Sequence, residues 1–227
     1  MKLLAIETAT EACSAALLID GEIRERYQVK PRGHSELILP MMEQLLAEAG
    51  LGLRQLDALA FGRGPGSFTG VRIATGVIQG AAFGAGLPVV PVSTLAALAQ
   101  RGFREQGFQR ILPAYDARMN EVYWAGYRVA AGGLVAEVSP EVVINPAEIT
   151  LPEGEGWHGV GSGWRTYQTV LSTTLGSALA SCDGELLCSA QDVARLAVAG
   201  YQAGTAVAAE QALPIYLRDR VAWRKSG

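Results

Sequence analysis

The chain has 227 residues, 49% of them hydrophobic and 18% charged, with a formal charge of −3 at neutral pH; this is enough apolar material for one large folded domain or two small ones. The acidic balance gives no general attraction for nucleic acid, whose binding rests largely on cations at phosphates, and Cys13, Cys182 and Cys188 lack the Cys-x-x-Cys spacing that would support a disulfide framework or a zinc knuckle. Apolar stretches fall well short of a membrane span and residues 1–6 meet Glu7 too soon for a signal-peptide core, so a soluble, cytoplasmic protein without a membrane partner is expected.

Residues 2–6 read as a strand, and 12–19 pairs with 22–29 across Asp20-Gly21, because an Asp-Gly between apolar runs is a strong hairpin signal. A helix follows over 35–49, capped by Ser35 or its neighbour, stopped by Gly50 and kinked by Pro40. Residues 56–61 are nearly all apolar, as in a strand covered on both faces. The next segment, 62–72, holds four glycines within nine residues, and the backbone must turn sharply there. Pro65 fixes φ, Gly66 takes a positive φ, and Ser67 or Thr69 caps a helix over 71–85. The free N–H groups of that helix can hold an anion. The segment nevertheless lacks the Gly-Lys-Ser/Thr of a phosphate loop, and Ser67 or Thr69 stands where G-x-G-x-x-G needs its last glycine, so a purely structural turn also accounts for it. A short strand over 89–92 and a helix capped by Ser93, running to about Gln100, complete the first half. The polar stretch 102–107 is the candidate domain junction.

After the junction the opening recurs. Residues 3–7 align with 112–116, each an apolar strand ending in an acid, Glu7 and Asp116, and each followed by a hairpin. In the second copy 121–128 pairs with 133–138 through the turn 130–132; 157–161 leads through Ser162-Gly163 into a helix, and 192–203 makes another. This is a diverged internal duplication. Two halves, each a mixed sheet with helices, match the actin, sugar-kinase and chaperone ATPase architecture, an α/β superfold with two lobes. The expected division is 1–101 for the first lobe, 102–204 for the second, with 205–227 returning to the first. Near the end, Arg218, Arg220, Arg224 and Lys225 cluster with only Asp219 opposing, which a solvated terminal face explains as well as an RNA contact does.

The runs Leu3-Leu4-Ala5-Ile6-Glu7-Thr8, Gly64-Pro65-Gly66-Ser67-Phe68-Thr69-Gly70-Val71-Arg72, Asp116-Ala117-Arg118-Met119-Asn120-Glu121-Val122-Tyr123 and Pro214-Ile215-Tyr216-Leu217-Arg218 together resemble the bacterial TsaB (YeaZ) family. The resemblance spans the whole chain and is loosest over 130–190. It implies an accessory subunit, not itself an enzyme, of the cytoplasmic machinery that makes N6-threonylcarbamoyladenosine on tRNAs reading codons that begin with adenine. It further implies TsaD as direct partner, TsaE as third member, tRNA met only through the complex, and self-association when TsaD is absent.

The chemistry-bearing residues fit that expectation. TsaD-like proteins bind a metal through a His-x-x-x-His pair after the strand that follows their glycine turn, and the segment here is Thr94-Leu95-Ala96-Ala97-Leu98, so no metal ligand set is expected. His34, at a helix start, and His158, beside a strand, both read as structural. Glu7 or Glu11 stands where many relatives place the first acid of a phosphate hairpin, and the longer carboxylate puts magnesium positioning in doubt. Gly161, Ser162 and Gly163 lie where relatives build an adenosine cradle, though a strand-to-helix turn explains them equally simply. No catalytic residue and no cofactor is expected: Ser67 and Ser162 sit in no complete Gly-x-Ser-x-Gly elbow, and the two histidines have no recognisable acid partner for a triad. An ATP-dependent small-molecule kinase of the same superfold is the alternative, requiring Glu7, Glu11 or Asp116 to organise magnesium. A metalloprotease is weakened by the missing histidine pair.

Two helices carry more apolar surface than one core contact needs. On the first, Leu37, Met41 and Leu45 follow at spacing four beside Ile38, Met42 and Leu46. On the second, Gly76, Gly80 and Gly84 repeat at spacing four, flanked by Ile73 and Val77, and each glycine costs about 1 kcal/mol against alanine. A ridge without side chains lets another helix approach closely. From the residues alone, packing onto the chain's own sheet is as good an explanation. The family resemblance implies that Leu37, Ile38, Met41, Met42, Leu45, Ile73, Gly76, Val77, Gly80 and Gly84 form the partner face.

Overall fold

Two sheets of five strands each are laid out on one plan. The computed structural model describes residues 1–218, so Asp219, Arg220, Arg224 and Lys225 of the basic tail lie outside the described residues. The first sheet contains β1 (Lys2–Glu7), β2 (Ala12–Ile19), β3 (Glu22–Val29), β4 (Ala58–Gly62) and β5 (Val89–Val92), in the order β3-β2-β1-β4-β5. Asp20 (φ 49°) and Gly21 (φ 97°) make the hairpin turn between β2 and β3, the two positive φ values that match strand twist. β1 runs antiparallel to β2 and parallel to β4, and the inner strands are apolar because both faces are covered.

The second sheet contains β6 (Arg110–Arg118), β7 (Glu121–Val129), β8 (Val135–Ile144), β9 (Trp157–Val160) and β10 (Leu179–Asp183), ordered β10-β9-β6-β7-β8. With β6 in the place of β1, β7 of β2 and β9 of β4, this repeats the first sheet, including its antiparallel and parallel neighbours. The duplication is therefore visible in topology, and the fold is the two-lobed α/β architecture of actin, sugar kinases and chaperone ATPases.

The helices are α1 (His34–Glu48), α2 (Phe68–Ala85), α3 (Thr94–Gln106), α4 (Ser162–Leu175) and α5 (Ala190–Gln202). Several expectations change. Ser35 does not cap α1, whose N-cap is Gly33 without a side-chain bond. α2 begins at Phe68, not Val71, with Ser67 Oγ accepting from Gly70 N–H (3.4 Å). Ser93 does cap α3, accepting from Ala96 N–H at 3.2 Å, but the helix continues to Gln106. The stretch 102–107 thus belongs to the end of α3, on the way from the first sheet to the second: buried Gly102 lies against Val160 and Ile111 of the second sheet, while Arg101, Arg104 and Glu105 take the polar side.

The lobe boundaries are corrected by the same packing. α3, assigned to 1–101, buries Leu95, Leu98 and Ala99 with Ile111, Tyr115 and Tyr127 of the second sheet. α5, assigned to 102–204, buries Val193, Ala194 and Ala197 against Leu3, Ala5, Ala60 and Val90 of the first. An apolar stripe at helical spacing says that a helix is covered, not which sheet covers it. Beyond α5 the chain follows the first lobe: Val207 exchanges backbone hydrogen bonds with Val89, and Gln79 Nε2 donates to Ala212 O (3.1 Å).

Candidate functional site

At the centre, the glycine turn after β4 closes onto the β1–β2 turn. The positive φ falls on Gly64 (100°), not on Gly66. Gly66 is glycine for another reason: a β-carbon there would lie 2.6 Å from Ala9 O. A β-carbon on Gly70 would fall on Thr8 O, and Thr8 Oγ1 donates to Gly70 O (2.7 Å). Both glycines thus make room for the backbone of the β1–β2 turn.

Glu7 is fully buried beside this turn. Its Oε1 accepts from Ala9 N–H, while Oε2 has no hydrogen-bond partner. Burial pushes its carboxyl up to about 7, against the opposing effect of the backbone N–H groups of Ala9 and Thr8 and of Cys188. Glu11, half-exposed, pairs with Arg165 of α4 at 3.6 Å. Asp116 accepts from Arg118 N–H (2.8 Å) and from Tyr167 OH (3.4 Å). The three acids are thus distributed among separate internal partners.

The glycines after β9 are also accounted for internally. A β-carbon on Gly161 (φ 100°) would lie 2.6 Å from Ala114 O, and one on Gly163 2.8 Å from Ala114 Cβ. Ser162 Oγ accepts from Asp116 N–H (3.3 Å). Gly161 and Gly163 are buried, so the weak nucleotide candidates form a strand-to-helix turn packed on β6. At the position of the histidine pair, Thr94 Oγ1 donates to Pro65 O and Leu98 is in the core. His34 is buried with Nε2 against Thr10 O (2.8 Å). His158 stacks on Phe108 at 3.9 Å, contacts Ser181 Oγ through Nδ1 (2.8 Å), and has its pKa lowered by burial.

The remaining candidates sit on α1 and α2, and the structure splits them. Ile38, Met41 and Leu45 are buried in the core of the first lobe with Leu4, Ile6 and Phe61, which corrects the expectation that this stripe faces a partner. The apolar arc is wide because one side of α1 covers the sheet while its flank meets α2. Leu37, Ile73 and Val77 are half-buried at the margin of the same core. Gly76, Gly80 and Gly84 all face outward, and a β-carbon at any of them would meet nothing within 4 Å. They do not pack on the sheet.

Between the two helices runs an apolar groove of about 430 Å³, lined by Leu39, Met42, Leu46, Gly76, Val77 and Gly80 among others. Met42, though nearly buried, contributes to its floor. Phe83, 83% exposed on α2, stands three residues beyond Gly80. Leu39 and Phe83 escaped the sequence reading; the spacing Leu39, Met42, Leu46 carried the signal for the first, and nothing in the pattern marked the second. What the surface offers chemically is a shallow, mostly apolar slot, with Glu43 as the one charged residue of its lining, bordered by a bare helix ridge.

Comparison with known proteins places the chain in a family. The family described as "TsaD: tRNA N6-adenosine threonylcarbamoyltransferase" matches residues 28–225. The chain is similar to the tRNA threonylcarbamoyladenosine biosynthesis protein TsaB of Escherichia coli (strain K12), 45% identical over 99% of this chain and 98% of that protein. Its similarity to TsaB of Haemophilus influenzae is 42%, over 99% of this chain and 97% of that one. Among solved structures, "YeaZ from Pseudomonas aeruginosa" superposes with a TM-score of 0.90 at 47% identity, covering 95% of this chain and 99% of that one.

Proposed function

The chain belongs to the TsaB (YeaZ) family, and from that premise we propose that it serves tRNA threonylcarbamoyladenosine biosynthesis as a scaffold that binds and activates TsaD through the α1–α2 face. The observation that carries the reading is the open groove beside outward-facing Gly76, Gly80 and Gly84, three glycines that no contact within the described residues requires. A helix interior keeps such residues at a cost of about 1 kcal/mol each, and close approach of a partner helix supplies the return. TsaE joins the assembly as a third subunit, tRNA is met only through it, and two copies of this chain pair by the same face when TsaD is absent. The protein makes no bonds itself: Glu7 is enclosed, and Glu11 and Asp116 are engaged elsewhere.

The test is reconstitution with purified TsaD and TsaE, reading tRNA modification and the dissociation constant for TsaD. Gly80→Leu, which fills the groove side of the ridge, is expected to abolish association and modification while the free chain stays folded and melts no lower than the parent. Normal association by a folded Gly80→Leu chain would overturn the interface. ATP turnover by the chain alone in the enzymic range of about 1 to 1,000 per second, lost in Glu11→Ala, would replace the scaffold reading by the kinase.

A further inference from the structure

The strap 214–218 joins two segments far apart in the chain, the glycine turn with the start of α2 and the β6–β7 hairpin. Ile215 N–H donates to Arg63 O (2.8 Å). The Tyr216 ring lies 6.0 Å from that of Phe68, and the Arg72 guanidinium sits 3.2 Å above Phe68 and 5.3 Å from Tyr216. Arg218 continues to the other lobe, donating to Ala117 O (3.1 Å) and to the Glu121 carboxylate.

The hairpin tip is strained. Arg118, Met119 and Asn120 have φ of 63°, 55° and 59°, three successive non-glycine residues in the left-handed region. Asp116 holds the tip from one side by its bond from Arg118 N–H, and Arg218 from the other. Backbone strain persists only where the surroundings impose it, and it gathers where a chain presents something. Here it presents Met119, 67% exposed, while the strap that holds the tip through Arg218 carries Tyr216, 45% exposed, against Phe68, 64% exposed. Aromatic, Met and Arg side chains grouped on rigid supports have the composition of an interface centre.

Charge selects between a protein and a nucleic acid. Arg118 is paired with Asp116 and Arg218 with Glu121, and Arg72 lies over the Phe68 ring, so among the described residues of the patch Arg72 alone is a cation without a carboxylate partner, and apolar and aromatic surface outweighs what could be placed on phosphates. Continuity then selects which protein: Phe68, Arg72, Gly76 and Gly80 succeed one another at spacing four on the outward side of α2, so a chain lying along the ridge arrives at the patch within about 18 Å. We infer that the Phe68–Arg72–Tyr216 cluster and the Met119 tip form a second foothold for the partner protein that occupies the α1–α2 groove, the partner supplying an apolar socket for Met119. This rests on the reading that the partner lies along α2.

The experiment titrates purified TsaD into the full chain by calorimetry, comparing Met119→Asn, Tyr216→Ala and Gly80→Leu with the parent. Asparagine tolerates the left-handed backbone, so Met119→Asn removes the apolar knob and leaves the turn. The expected result is at least a tenfold weaker dissociation constant for Met119→Asn and for Tyr216→Ala, with unchanged melting temperatures. Parental affinity in both, while Gly80→Leu fails to bind, would overturn the second foothold and leave the groove standing. Parental affinity in all three would overturn both. Unchanged TsaD binding with loss of tRNA cross-linking in Met119→Asn would make the occupant RNA and also overturn the inference.

Discussion

Glu7 and Gly62 face each other so closely in the first lobe that a β-carbon on Gly62 would coincide with Oε2 of Glu7, the carboxylate oxygen without a hydrogen-bond partner. The last residue of β4 must be glycine because the last residue of β1 is a long acid turned inward. Gly62→Ala is therefore expected to force Glu7 off the Ala9 N–H and lower stability by about 3 kcal/mol, the upper range for overpacking. In a chain of this size that is a fall of roughly 10 °C in melting temperature. A Gly62→Ala protein that melts with the parent would show that Glu7 has room to move.

The same carboxylate makes stability depend on pH. Its folded pKa, about 7, lies above the ordinary 4.5 because burial disfavours the charge. The folded state thus holds a proton that the unfolded chain has released, and stability falls as pH rises from about 4.5 through 7, by on the order of 3 kcal/mol from this group. Glu7→Gln is neutral at every pH. It is expected to melt several degrees above the parent at pH 8 and close to it at pH 5, and equal spacing of the two melting curves at both values would refute the buried acid.

On α1 and α2 the structure assigns opposite outcomes to neighbouring substitutions. Leu45→Arg buries a cation in the first-lobe core, where an unpaired charge is not tolerated, and should leave no folded monomer. Gly80→Ala adds a methyl to open space and should raise the monomer's stability by about 1 kcal/mol through helix propensity. Circular dichroism of both proteins decides it: a folded Leu45→Arg chain together with a lower-melting Gly80→Ala chain would mean that the two faces have been exchanged.

Asp192 and Arg104 tie the lobes together. The carboxylate, fully buried on α5, accepts two bonds from the guanidinium on α3, at 2.8 and 2.9 Å. Removing Arg104 strands a buried carboxylate, so Arg104→Ala should cost about 3 kcal/mol at pH 8 and less at pH 4, where Asp192 takes up a proton in the folded state more readily than in the unfolded chain. Asp192→Ala should cost less, because Arg104 is partly exposed and keeps Glu105 at 3.0 Å. Stability loss independent of pH in Arg104→Ala would argue that the two side chains do not act as a pair.

The strands β1 to β7 along the chain, the Asp20-Gly21 hairpin and the Ser67 and Ser93 caps were legible, because each depends on residues within a few positions of one another, and comparing such local patterns exposed the recurrence of the opening at Leu112; β10 and the order of strands within each sheet were not marked. The absence of the histidine pair at Thr94 and Leu98 was equally local, as was the spacing of Gly76, Gly80 and Gly84. What the residues left open was which side of each element is covered. Ile38, Met41 and Leu45 have the spacing of an interface and the burial of a core, since helical periodicity records only that a face is apolar. α5 packs on the first sheet and α3 against both, because amphipathic helices carry no address for the sheet that takes them. Gly66, Gly70 and Gly161 look like glycines that cradle a ligand; each instead accommodates a carbonyl brought near by the fold, from Ala9, Thr8 and Ala114. Glu7 shows the division at a single residue. Sequence placed an acid at the end of β1, and only the packing of Gly62, Thr94 and Cys188 around it removed the water that would have kept it charged.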